Sequence, residues 1–285
     1  MFGLPWHIVL PTLLGSILVG AMCSAIGTFV VRMKLSSLGF AMSHAAFAGA
    51  ALGLMIAAID PVWMAILFAV SMAAVLGPIA DFSRLQVDTV VGATFPLTMA
   101  LGLIFINKAP SSGIGSGALA LLWGSVLGIT MHQVYVLAGV FAGVIAVLLL
   151  FGKQFFALLL DRKLAQASGL NAARAFHVLL FLVAIVVAVS LRITGGLLIY
   201  ALMILPASAA FQWAYDIKKV FLIAPLLGIG ASLSGFVVSL CADLPIGASI
   251  ALCCAVVFFG SVLLSPKRRR GLDHRAVMSR LRTVD

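Results

Sequence analysis

Glutamate is missing altogether from these 285 residues, and eight aspartates supply all of the acidic charge. Charge of either sign is scarce: 9% of residues are charged against 64% hydrophobic, and the mean hydropathy is +1.24. Soluble domains carry about 25% charged residues, and a water-soluble fold of this length cannot hide so much apolar surface. The composition therefore excludes a soluble globular protein, and lipid must serve as part of the solvent. Cysteine is also rare. Cys23, Cys241, Cys253 and Cys254 lie in or beside apolar stretches, with neither metal-finger spacing nor the framework of a disulfide-stapled secreted domain. They read as small apolar packers. There is no Walker-type glycine-rich loop, which excludes ATP binding by that mechanism, and no H-E-x-x-H zinc motif.

The net charge of +10 does not point to nucleic acid, because no basic, aromatic-rich module accompanies it. Seven of the 18 basic residues instead lie between Lys267 and Asp285, directly after the last apolar stretch. Clusters of this kind hold the chain's orientation and touch anionic lipid. Residues 1–265 thus read as one transmembrane domain, and 266–285 as a basic cytoplasmic tail. The first apolar stretch has no basic n-region before it and no small-residue cleavage site after it, so it is expected to stay as a span.

A span needs about 20 mainly apolar residues. Nine segments qualify, at roughly 8–31, 38–58, 61–80, 88–107, 133–152, 174–191, 195–214, 219–241 and 245–265, with eight to ten as the range. Residues 118–130 are too short to cross and read as a re-entrant or interfacial helix. With nine crossings, Arg32, Lys34, Arg84, Lys153, Arg162, Lys163, Arg174, Lys218, Lys219 and the seven tail residues share one side, and only Lys108 and Arg192 take the other. The richer side is cytoplasmic by the positive-inside rule, which puts the N-terminus outside and the C-terminus inside. The fold class is an all-α, polytopic membrane bundle.

Few residues in the spans can carry chemistry. His44, in LGFAMSHAAFAGAALG, is ionisable at membrane depth, where such groups are costly and serve substrate or ion pathways. Imidazole is also the commonest metal ligand. The structural alternative is a neutral histidine hydrogen-bonded to a neighbouring helix, beside small residues that let helices approach closely. Asp88 opens the fourth span and suits a helix N-terminus. His132 and His177 sit at span ends, where interfacial solvation explains them. Pro96, Pro206 and Pro225 fall inside spans and mark kinks whose freed carbonyls can line a cavity. The inner loop DRKLAQASGLNAARAF, residues 161–176, reads as a short helix, a break at Gly169 and a second helix. Such a hairpin is either a handle for a soluble partner or a plain amphipathic connector.

Four stretches, in this order, resemble the permease subunits of the manganese/zinc/iron uptake ABC transporters, the ABC-3 family: VVRMKLSSLGFAMSHAAFAGAALG, VDTVVGATFPLTMALGLIF, LLLDRKLAQASGLNA and TGGLLIYALMILPASAA. The likeness is collinear over most of residues 10–265. It implies a homodimer of this chain in the cell (inner) membrane of a prokaryote, paired with two cytoplasmic ATPase subunits and fed by an extracytoplasmic metal-binding protein. ATP hydrolysis would belong to the separate ATPase, so the chain is expected to catalyse no covalent step and to need no cofactor. A transition metal such as manganese, zinc or iron is the implied cargo. The coupling residues would be Ala165, Ser168, Gly169, Leu170 and Asn171, and His44 would be the metal ligand in the central path. The family commonly carries an aspartate four residues before this histidine, on the same helical face; here that position is Phe40. With no glutamate to replace it, a hard or borderline divalent cation loses its charged oxygen ligand. Met42 and Met203 are soft alternatives, with Cys23 a third.

Two other classes compete. A secondary transporter or channel working alone would show repeated broken helices, and no repeat or membrane-embedded carboxylate is evident. An intramembrane enzyme would need a nucleophile–base or metal constellation, and His44 has no second embedded partner in the sequence.

Overall fold

The computed structural model describes residues 6–56, 60–85, 87–109, 129–160 and 169–265, and among these it contains ten helices and no strand. They are α1 (Trp6–Arg32), α2 (Ser36–Ile56), α3 (Pro61–Ser83), α4 (Val87–Lys108), α5 (Met131–Leu150), α6 (Gly152–Leu160), α7 (Ala172–Thr194), α8 (Gly196–Trp213), α9 (Ile217–Ala242) and α10 (Ile246–Leu264). Eight are long and apolar enough to cross a membrane. The remaining segment read as a span from the sequence is α8, whose 18 residues reach about 27 Å, close to the thickness of a hydrocarbon core. Residues 118–128, most of the outer loop, and the tail lie outside the described residues.

Polar side chains at the helix ends explain where the helices begin. Asp60 accepts the Val62 N–H at 2.8 Å with Pro61 in the first turn of α3, and Asp216 accepts the Lys218 N–H at 3.0 Å at the start of α9. Thr130 and Gln133 form a reciprocal capping box at α5. Asp243 closes α9 in a left-handed conformation, and Asp88 in the first turn of α4 accepts a hydrogen bond from the Ser37 hydroxyl of α2. These four aspartates sit at helix ends rather than at mid-span.

Two groups of helices share the bundle. In one, α2 packs against α3 and α4, and α3 against α7; in the other, α1 packs against α8 and α9, which pack on α10. Contacts of α8 with α2, and of α7 with both α1 and α2, join the groups. Ser265 Oγ donates to the Gln212 carbonyl at 3.1 Å, so α8 and α10 end together. Close approach depends on small residues: Gly49 lies against the Met64 carbonyl, and Gly27 against that of Met203. Ser24 Oγ donates across to the Leu202 carbonyl at 3.0 Å. The outer faces remain strongly apolar, with Leu97, Tyr135, Leu149, Leu222, Leu226 and Phe259 all exposed. In water such a surface would drive aggregation; in a bilayer it is the lipid-facing wall. Trp6, Trp63, Tyr135 and Trp213 stand exposed near helix ends, where amphipathic rings sit at headgroup level.

The structure adds one helix that the hydropathy pattern had run into the inner loop. α6 follows α5 after a break at Phe151 and has a strong apolar face. Phe155 is fully buried there, its ring edge-on to Phe29 with centroids 5.7 Å apart. At nine residues it is too short to register as a span, yet its one-sided pattern anchors it on the bundle.

Candidate functional site

α2 carries Phe40 and His44 one turn apart, and this spacing stacks their rings edge-to-face with centroids 4.5 Å apart. Phe95 of α4 closes the other side, with centroids 4.7 Å from both His44 and Phe40. Tyr200 of α8 meets Phe40 at 5.6 Å. Three helices therefore contribute to an aromatic box in which Phe40 and Phe95 pack on the imidazole and Tyr200 backs Phe40. His44 is 7% exposed, and its Nδ1 has no hydrogen-bond partner among the described residues. A buried polar atom left unpaired is costly, so the imidazole keeps an uncommitted lone pair or N–H at the centre of the box.

A break in the helices lies beside it. α7 ends at Thr194, and Gly195 (φ 74°, ψ 158°) turns the chain before α8 begins at Gly196. This backbone region is open essentially only to glycine. Gly196 also faces α2 closely, since a Cβ there would stand 3.4 Å from that of Ser43, the neighbour of His44. No side chain caps α8. Gly195→Ala is expected to cost about 1–3 kcal/mol through backbone strain, read as a lower temperature of heat-induced aggregation for the purified protein. An unchanged temperature would mean that the chain turns here without strain.

The proposed soft ligands are both fully buried in the main apolar core. The Met203 sulfur lies against Gly39, 2.8 Å from where its Cβ would be, so it packs on the turn of α2 that carries Phe40. Cys23 is buried on α1. Among the described residues no three His, Cys, Asp or Glu side chains cluster as a metal-binding group. His177 is engaged locally through Nδ1 and the Ala173 carbonyl at 2.7 Å, while His132 is exposed.

At the opposite end of α7, Gly169 takes φ 77° and Asn171 caps the helix by accepting the Arg174 N–H at 3.0 Å. Residues Gly169 to Ala173 line an open concavity of about 340 Å³. Ala165 and Ser168, the other two expected coupling residues, lie outside the described residues. Sequence reasoning missed Phe95 and Tyr200. Both come from helices distant in the chain, and only the flanking Pro96 drew attention to the first.

The family model described as the ABC 3 transport family matches residues 6–265. The chain is 31% identical over 264 residues to the manganese import system permease protein ScaB of Streptococcus gordonii, covering 93% of this chain and 94% of that one. It is 29% identical to the manganese transport system membrane protein MntC of Listeria monocytogenes, covering 90% of each. Among solved structures, PsaBC from Streptococcus pneumoniae in complex with Fab superposes with a TM-score of 0.83 at 29% identity, over 93% of this chain and 94% of that one. A metal-chelate type ABC transporter in an inward-facing conformation shares the fold, with a TM-score of 0.74 at 20% identity.

Proposed function

The chain belongs to the ABC 3 transport family, and from that premise we propose that it carries a divalent transition metal across the membrane along a path that passes His44. It is the permease subunit of an ATP-driven importer, and ATP hydrolysis resides on a separate subunit. The observation that carries the metal path is the buried, unpartnered Nδ1 of His44 inside the box of Phe40, Phe95 and Tyr200. An imidazole held this way offers one strong nitrogen donor, which suits zinc, iron or copper better than manganese. The relatives' manganese cargo makes manganese the reference ion.

In the same reading, two copies of the chain form the translocation path between them, and an extracytoplasmic binding protein delivers the metal. The N-terminus lies outside and the basic tail inside, as the distribution of Lys and Arg favours. The path occupies residues 1–265. The segment 161–176, of which Gly169, Leu170 and Asn171 are described, receives the ATPase. Met42 and Met203 support the path as buried thioethers within reach of metal chemistry only if the bundle rearranges.

ATP-dependent uptake of manganese, zinc, iron and copper into proteoliposomes holding the permease, its ATPase and its binding protein tests this reading. Uptake of one of these ions is expected. Absence of uptake for all four would remove the metal assignment. The start of α7 gives a separate test. Asn171→Ala removes the α7 cap, at a cost of about 1 kcal/mol, and is expected to lower the metal moved per ATP hydrolysed while membrane abundance stays near normal. An unchanged transport-to-hydrolysis ratio would detach this turn from coupling.

A further inference from the structure

A second concavity, of about 500 Å³, opens where α1, α6 and the α8–α9 turn meet, and nothing in the transport reading uses it. It is lined by Arg32, Phe156, Phe211, Tyr215, Asp216, Ile217 and Lys218. Arg32 is the last residue of α1, and Lys218 lies in the first turn of α9, so both cations stand at helix ends where the apolar core stops. Both are exposed, and neither forms an ion pair among the described residues. The single carboxylate among the described lining residues, that of Asp216, already accepts the Lys218 backbone N–H.

The aromatic members fix the depth of the site. α6 directly follows the span α5, with Phe155 packed on Phe29 of the bundle and Lys153 exposed, so it stands at the level where α5 leaves the membrane. Phe156 and Phe211 are half-buried, and Tyr215 is 68% exposed beside them, as expected of rings at the boundary between tails and headgroups. The pocket is thus apolar toward the bilayer and cationic toward water.

We propose that this pocket binds the headgroup of an anionic phospholipid, with its phosphodiester held between Arg32 and Lys218. Among the described lining residues, two cations and one carboxylate leave a single positive charge. A phosphodiester monoanion neutralises it, whereas a zwitterionic headgroup leaves it uncompensated. Arginine supplies a planar, multi-donor grip on the phosphate oxygens and lysine a point charge. The acyl chains run along the exposed apolar faces, and the hydroxyls of a glycerol headgroup can donate to the free lone pairs of Asp216.

The full chain is purified, placed in phosphatidylcholine nanodiscs, and titrated with phosphatidylglycerol, phosphatidylethanolamine or inorganic phosphate, with bound lipid counted by native mass spectrometry. Phosphatidylglycerol is expected to bind preferentially, at about one per chain. Arg32→Gln and Lys218→Gln should each weaken it about fivefold, the scale of one cation's attraction to anionic lipid. Arg32→Lys, which keeps the charge, should lose less, and Lys153→Gln, an exposed cation outside the pocket, should change nothing. Equal binding of phosphatidylethanolamine, or an unaffected Arg32→Gln/Lys218→Gln double variant, would overturn the proposal. So would displacement of the lipid by millimolar inorganic phosphate, which would assign the pocket to a soluble anion. The measurement is repeated with the ATPase bound; loss of the lipid there would assign the pocket to protein contact and overturn the proposal as well.

Discussion

Gly228→Leu is expected to abolish the folded permease, whereas Gly230→Leu, two residues along the same helix, should leave it intact. At Gly228 the backbones of α1 and α9 touch: a Cβ there would overlap the Gly20 carbonyl and the Ser24 hydroxyl, and a Cβ at Gly20 would stand 2.8 Å from the Gly228 carbonyl. Because the obstacle is backbone on both sides, no rotamer change can relieve it. The helices must separate, which also breaks the Ser24 hydrogen bond to Leu202 that ties α1 to α8. Gly228→Ala alone should cost about 3 kcal/mol, the upper end for overpacking. Leucine, with three more carbons against the same backbone, should consume most of a stability margin of about 5–15 kcal/mol. Gly230 has nothing within 4 Å of its would-be Cβ, and a leucine there simply meets lipid. Fluorescence-detected size-exclusion chromatography of the two variants reads the contrast directly. A monodisperse Gly228→Leu peak of normal height would mean that α1 and α9 do not pack in this way.

The same pair of glycines shows what the sequence could and could not disclose. With 27 glycines in the chain, small-residue spacing alone does not identify the packed ones. Gly139 and Gly143 have the spacing best known for helix pairing, yet both face open space in this chain, while the working contact is Gly20–Ser24 against Gly228–Ser232. Spacing is a local property, and the helix that comes to face it is not. Hydropathy, by contrast, is local and strong, so the spans and the all-helical class were legible from the start. The shortest, α8, sat at the edge of that signal because α7 and α8 are separated only by the turn at Gly195. α6 was not legible as a separate helix, since nine residues give no span-length signal.

The candidate site divides in the same way. His44 stood out as an ionisable residue in an apolar stretch, and Phe40 was visible one turn before it. The rest of the box, Phe95 and Tyr200, arrives from α4 and α8, some 50 and 150 residues away in the chain, and an aromatic residue in a membrane span carries no signal that marks it as a wall. The aspartates were more informative. Their distribution foretold a carboxylate-poor interior, and the structure finds Asp60, Asp88, Asp216 and Asp243 at helix ends.

That carboxylate-poor interior sets the largest functional expectation. His44→Ala should lower ATP-dependent metal uptake by about tenfold to a hundredfold, the scale seen when a metal site loses a supporting group, with the ATPase still bound and active. Normal uptake would place the path elsewhere in the bundle. Phe40→Asp should act in the opposite sense for manganese. It sets a carboxylate one turn from the imidazole, on the same face of α2, and supplies the charged oxygen that a hard cation requires. The ratio of manganese to zinc uptake should rise about tenfold, the step of one ligand's preference. The same substitution removes an aromatic ring stacked on His44, Phe95 and Tyr200, and in the metal-free protein it leaves a carboxylate in an apolar box, where an unpaired charge is strongly disfavoured. The metal-free variant should therefore be less stable than the parent, and manganese should restore much of the loss. The joint result is the discriminating one. If Phe40→Asp lowers uptake of every metal and manganese gives no thermal protection, the box is a packing feature and the imidazole within it does not meet the cargo.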